Sequence, residues 1–133
     1  MKFILDHIFL VSIAAASGLA LLLPALQPRG KRASILEATQ MINRARTTIL
    51  DVRSADEFAA GHLRDAKNIP LADLGTRIGE LDKQKTKAVV VVCQRGSRAD
   101  KAVKMLQKAG FDDVVSLDGG LTAWTAAGLP TVK

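Results

Sequence analysis

Five consecutive apolar residues, Ala88 to Val92, run straight into Cys93 and then into the polar stretch Gln94-Arg95-Gly96-Ser97-Arg98. A short strand that is apolar at every position has both faces buried, and that belongs to a parallel sheet covered by helices on two sides. The neighbouring sequence supplies the other elements. Ser34-Ile35-Leu36-Glu37 and Ser54-Ala55-Asp56-Glu57 have the form of capping boxes. They predict a helix from about Ser34 to Ala45 and a shorter one ending at Gly61. Thr47 to Val52 and Val114 to Leu117 read as strands, with a brief extended piece at Asn68-Ile69 before Pro70. Leu71, Leu74, Ile78 and Leu81 recur at helical spacing despite Gly75 and Gly79. Ala99, Ala102, Val103 and Leu106 stripe another helix up to Gly110, and Leu121 to Ala127 forms the last. Strands alternating with helices predict an α/β fold, a parallel sheet with helices on both faces.

Ligands of open parallel sheets bind at the carboxyl ends of the strands, which is where Cys93 falls. The following loop is short. Its successive N–H groups, with Gly96 free to take a positive φ, can form a concave nest around the sulfur. The start of the next helix, Arg95 and Arg98 add positive potential, which favours the reactive thiolate and would hold an anionic substrate or a persulfide. The plain alternative, Cys93 as one more small buried hydrophobe, does not account for strand, loop, arginines and helix in that order. Cys93 is therefore the candidate nucleophile, and Gln94, Arg95, Gly96, Ser97 and Arg98 the candidate binding loop. Asp51 ends a strand beside that of Cys93. It either supports the loop or orients the sheet end.

The motifs around these residues resemble the rhodanese (sulfurtransferase) family over nearly everything from Ile35 to Pro130. Asp51-Val52-Arg53, Glu57-Phe58 and Gly61-His62-Leu63, then Ala66-Lys67-Asn68-Ile69-Pro70, are similar to its first signature. Cys93 to Arg98 resembles its active loop, and Leu117-Asp118-Gly119-Gly120 with Trp124 and Gly128-Leu129-Pro130 resembles its closing motif. Leu63, where Ile is usual, and Asp65, where Gly is commonest, depart from the pattern. The resemblance implies a rhodanese-like fold and sulfane-sulfur transfer through a Cys93 persulfide, with no cofactor and no metal. The C-x4-R spacing resembles sulfur-transferring members, while related phosphatases and arsenate reductases use C-x5-R. A cation at Arg95 resembles members that take thiosulfate. The implied partners are a small anionic sulfur donor and a thiol or protein acceptor. A persulfide-carrying or interaction module with little turnover is the alternative. Arg53 and Glu57 are expected to form a local ion pair, His62 to hydrogen-bond within a turn, and Trp124 to pack in the core.

Ahead of this domain, Ile8 to Leu26 contains no charged residue. About nineteen residues at about 1.5 Å each nearly match the ~30 Å hydrocarbon layer, so a transmembrane helix is expected. A buried core helix would need a larger protein around it. A cleaved signal peptide is the stronger rival, set against a thin basic start and no clear small-residue cleavage site. The division expected is an anchor and linker over 1–28 and a rhodanese-like domain over 29–133. Arg29, Lys31, Arg32, Arg44 and Arg46 follow the run, so the positive-inside rule places the domain in the cytoplasm. The one cysteine excludes an internal disulfide and, with two histidines, a structural zinc site. The net charge of +6 suits acidic lipid or a small anion. Nucleic acid is not an expected partner, because the chain has no Tyr, one Trp and no long basic block.

Overall fold

The computed structural model describes residues 2–26, 31–44 and 46–133. The first domain helix ends at Asn43, with Arg44 already extended, short of the expected Ala45. The domain boundary at 28/29 lies outside the described residues. Helix α1 spans Lys2–Leu26, beginning six residues ahead of the apolar run. None of the residues 2–19 is buried, so this part of α1 is no core helix. It is long and apolar enough to cross a bilayer, a property a signal sequence shares.

The domain contains β1 (Arg32–Ala33), α2 (Ile35–Asn43), β2 (Thr48–Asp51), α3 (Ala55–Ala60) and β3 (Lys67–Asn68). Then come α4 (Leu71–Arg77), a 3-10 turn (Ile78–Gln84), β4 (Val89–Val92), α5 (Ser97–Lys108), β5 (Val114–Leu117) and α6 (Gly120–Ala126). Five strands pair in the order β1-β5-β4-β2-β3, all parallel. The edge strand β1, at Arg32–Ala33, is not among the strands expected from the sequence. Two residues carry no periodic pattern, and their order comes from pairing with Ser116 and Leu117. The helical spacing over Leu71 to Leu81 is also realised differently, because α4 tightens into a 3-10 turn at Ile78, just before the poor helix former Gly79.

Side chains of β4 alternate between two dry layers. Val89, Val91 and Cys93 face Leu74, Leu81, Val103 and Leu106 from the α4–α5 side. Val90 and Val92 face Ala38, Leu121 and Trp124 from the α2–α6 side. Every β4 residue is fully buried, as a continuous apolar run requires. A leucine so placed contributes about 1.5–3 kcal/mol through burial. The Trp124 Nε1–H donates to the Pro130 carbonyl at 3.0 Å, which satisfies the indole and pins the C-terminal tail.

The strand order also locates the site. From β2 the chain moves outward to β3 at one edge, and from β4 outward to β5 on the other side. The carboxyl ends of β2 and β4 therefore flank a topological switch point, where open α/β sheets bind ligands. Asp51 and Cys93 stand at those two ends.

Candidate active site

Cys93 leaves β4 with 1% of its surface exposed, and the chain then turns through Gln94, Arg95 and Gly96 into α5 at Ser97. The Gly96 N–H donates to Cys93 Sγ at 2.9 Å. A backbone donor aimed at sulfur from this distance stabilises negative charge on it. Gly96 has φ 114°, a conformation that residues with a Cβ rarely adopt, so the glycine makes the turn possible.

A second layer holds the loop from below. The N–H groups of Leu121 and Thr122, at the start of α6, donate to the Cys93 and Gln94 carbonyls at 2.8 and 3.0 Å. This requires close approach of two backbones. A Cβ on Gly120 would collide with the Cys93 carbonyl oxygen and lie 2.7 Å from the Gln94 carbonyl carbon, and φ there is 62°. The Gln94 side chain completes the lock. Its Oε1 accepts from Arg53 Nη1 at 3.2 Å, and its Nε2 donates to Thr122 Oγ1 at 3.1 Å.

Among the described residues Asp51 hydrogen-bonds to Arg53, and through it to the loop. Its carboxylate accepts from the Arg53 N–H, Nε and Nη2, at 3.0 to 3.1 Å for the first two and 2.8 Å for the last, and both residues are buried. Arg53 Nη2 also donates to the Gly61 carbonyl at 2.6 Å. One buried guanidinium thus ties the end of β2, the turn after α3 and the loop side chain Gln94. Asn68 adds two bonds from Nδ2 to the Asp51 and Arg53 carbonyls.

The expected Arg53–Glu57 pair does not form. Glu57 instead closes the capping box of α3 with Ser54 and receives both terminal nitrogens of Arg98, at 2.8 and 2.9 Å. That bidentate bond, backed by the Ser54 bonds, holds the Glu57 carboxyl down at about 2. Arg98 is raised by the same partner, with smaller contributions from Cys93 and Asp51. Arg98, expected to add positive potential at the loop, is a cation paired with Glu57 that anchors the loop's exit. Arg95 is exposed and lines, with Arg32, Ser97, Asp100 and Asp118, a cavity of about 240 Å³ beside the loop. Ser97 opens α5. His62 stacks on Phe58 and its Nδ1 lies 2.8 Å from the Phe58 carbonyl, away from the thiol loop.

Three contributors escaped the sequence reading. Thr122 and Gly120 stand in a motif recognisable by its glycine pair, but nothing local tells that they face Cys93. Arg32 pairs with Asp100 in the first turn of α5, and Asp100 also accepts from Ser116 Oγ at 2.7 Å. No spacing signal announces a contact across 68 residues.

Residues 34–127 match the family described as Rhodanese-like domain. The chain belongs to that family. Among curated relatives, an uncharacterized Synechocystis protein, slr1261, is 40% identical over 85 residues, which is 64% of this chain and 46% of that protein. The chain thus spans less than half the length of that relative. The thiosulfate sulfurtransferase GlpE of Shewanella oneidensis is 37% identical over 97 residues, 73% of this chain and 94% of the relative. A rhodanese-related protein from Thermoplasma volcanium superposes with a TM-score of 0.70 at 28% identity, covering 77% of this chain and 97% of that one. The α/β rhodanese fold with a five-stranded parallel sheet is thereby established.

Proposed function

We propose that this rhodanese-like chain transfers sulfane sulfur from thiosulfate or a similar donor to a nucleophilic acceptor through a persulfide on Cys93. One observation carries the reading: the only thiol in the chain stands at the switch point with a loop N–H aimed at its sulfur from 2.9 Å. The kinship with proteins named thiosulfate sulfurtransferase supports it.

In the first half-reaction the Cys93 thiolate attacks the outer sulfur of thiosulfate. The new S–S bond forms as the old one breaks, sulfite departs with that bond's electron pair, and Cys93–S–S⁻ remains. In the second, cyanide or a thiolate attacks the outer sulfur and the Cys93 thiolate leaves, so the cycle needs no external oxidant or reductant. The Gly96 N–H aimed at Cys93 Sγ favours negative charge on that sulfur. The six-residue loop encloses one sulfur rather than a tetrahedral oxyanion.

Helix α1, through residues 8–26, anchors the chain in a membrane, and the basic flank after it keeps the domain cytoplasmic, where a lone thiol stays reduced. A maleimide that cannot cross membranes should leave Cys93 unlabelled in intact cells. Labelling, or a mature chain starting near residue 27, would mean export.

Near-complete burial of Cys93 favours a second reading, a persulfide carrier serving a protein partner, because only the outer sulfur of a persulfide would project. One experiment separates the two. Detergent-solubilised full chain incubated with thiosulfate and cyanide should release thiocyanate over many turnovers, and Cys93→Ser should release none while keeping its circular dichroism. A single sulfur added to wild type without turnover would favour the carrier. Turnover retained in Cys93→Ser would remove Cys93 from the chemistry.

A further inference from the structure

The charge of the domain is unevenly placed along the strand direction. At the carboxyl edge of the sheet Arg53 is neutralised by Asp51 and Arg98 by Glu57, which leaves Arg95 as the loop's unpaired cation among the described residues. The opposite edge, where the strands begin, is different. Lys31 precedes β1, Arg44 and Arg46 precede β2, Lys83 and Lys87 precede β4, and Lys108 ends α5. All six are exposed, and among the described residues none has a carboxylate within 4.0 Å. Asp112 and Asp113 are the acidic residues that face them without a paired cation, since Asp82 is bonded to Lys85. The register Thr48–Val89–Val114 starts the three central strands level with one another, and Arg46, Lys87 and Asp112 each lie two residues ahead, at that strand-start edge.

That face is also where the chain arrives from α1. Leu26 and Lys31 are five residues apart, a reach of at most about 18 Å, so the end of the apolar helix cannot be far from the cationic edge. Cys93 lies six residues beyond Lys87 along an extended strand, about 20 Å away at the other end. We propose that the strand-start edge docks on acidic lipid headgroups and thereby turns the Cys93 edge away from the bilayer. This rests on the reading of α1 as a membrane anchor. Tethering beside the bilayer makes docking intramolecular, so modest attraction per cation suffices. Salt at a few tenths molar shortens the screening length to a few ångströms and should release it.

The test uses the full chain in phosphatidylcholine nanodiscs with and without phosphatidylglycerol, read by amide hydrogen exchange. Anionic discs should slow exchange about fivefold or more over residues 85–88 and 109–113, and not over 94–98, with the difference abolished by high salt. The variant Lys83→Gln/Lys87→Gln/Lys108→Gln should lose this lipid-dependent protection, and Lys101→Gln/Lys104→Gln should keep it. Thiocyanate formation by the triple variant should match wild type, which separates failure of docking from failure of the sulfurtransfer reading. Equal exchange in the two lipids, or protection centred on 94–98, would overturn the docking face. Chain that does not co-purify with discs would overturn the anchor and this orientation with it, leaving the chemistry of Cys93 untouched.

Discussion

Glu57 and Arg98, 41 residues apart, meet through both oxygens and both terminal nitrogens and so clamp the first turn of α5 to α3. Each is about one-third exposed, so screening limits the pair to about 0.5–1 kcal/mol of stability. Its pH signature is nonetheless clear. With the folded carboxyl near 2 against an ordinary 4.5, the contribution is complete above about pH 5 and fades as pH falls from there through 2. Acid titration of Glu57→Gln should show a shallower stability loss over that window than wild type. Loosening of the loop's exit should lower kcat several-fold near neutral pH. Identical acid profiles would show that the pair does not contribute in solution.

The Asp51–Arg53 pair is a different case, because both partners are buried. Arg53→Met should cost about 3–5 kcal/mol, since it strands a carboxylate away from water. Arg53→Met with Asp51→Asn should recover much of that, having removed the orphaned charge. Activity should remain depressed in both, because Gln94 loses the donor that steadies it. Urea denaturation gives the energies, and a double variant no more stable than the single one would contradict the assignment.

What the sequence displayed, and what it concealed, follows from how local each cause is. The β4 run, the glycine turn and the Ser54–Glu57 box are local patterns whose geometry is dictated within a few residues, and each is present where expected. Partner choice is not local. Arg53 and Glu57 are close in sequence, but Arg53 precedes the helix cap and turns inward to Asp51, leaving Glu57 to a residue of another element. The edge strand Arg32–Ala33 has no periodicity to detect, and Gly120 shows its purpose only when α6 is seen against the Cys93 carbonyl.

That close approach makes Gly120 a sharper probe than most glycines. Gly120→Ala adds a Cβ at positive φ into backbone of the loop, so it should destabilise by about 1–3 kcal/mol and lower sulfurtransfer disproportionately. Gly79→Ala is the control. It has open space around it and no positive φ, and it should be neutral or stabilising by about 0.5–1 kcal/mol. Unimpaired turnover in Gly120→Ala would mean the loop does not depend on α6.

Arg95 is the loop cation left outside any ion pair among the described residues. A dianionic donor approaching the loop should use it, so Arg95→Ala should raise the thiosulfate KM about five- to thirtyfold, on the order of 1–2 kcal/mol. The melting temperature should not change. Added salt should raise the wild-type KM in the same direction. A KM indifferent to both would place Arg95 in solvent only.

Loop length is the last feature to test, and it separates stability from chemistry most cleanly. One residue inserted between Gly96 and Ser97 lengthens a surface turn, which folding tolerates at a cost of about 1 kcal/mol or less. For the site the change is larger. The inserted residue would push Ser97 and Arg98 away from Cys93 and loosen the turn that holds the Gly96 N–H 2.9 Å from the sulfur, widening the loop towards the size of a tetrahedral oxyanion. The expected outcome is a folded protein with at least about a hundredfold lower thiocyanate formation, since a misplacement near 1 Å already costs that much. Hydrolysis of an aryl phosphate, assayed in the same preparation, is the gain of function the wider loop would allow. An insert that melts normally and transfers sulfur at the wild-type rate would show that the spacing from Cys93 to Arg98 does not set the chemistry.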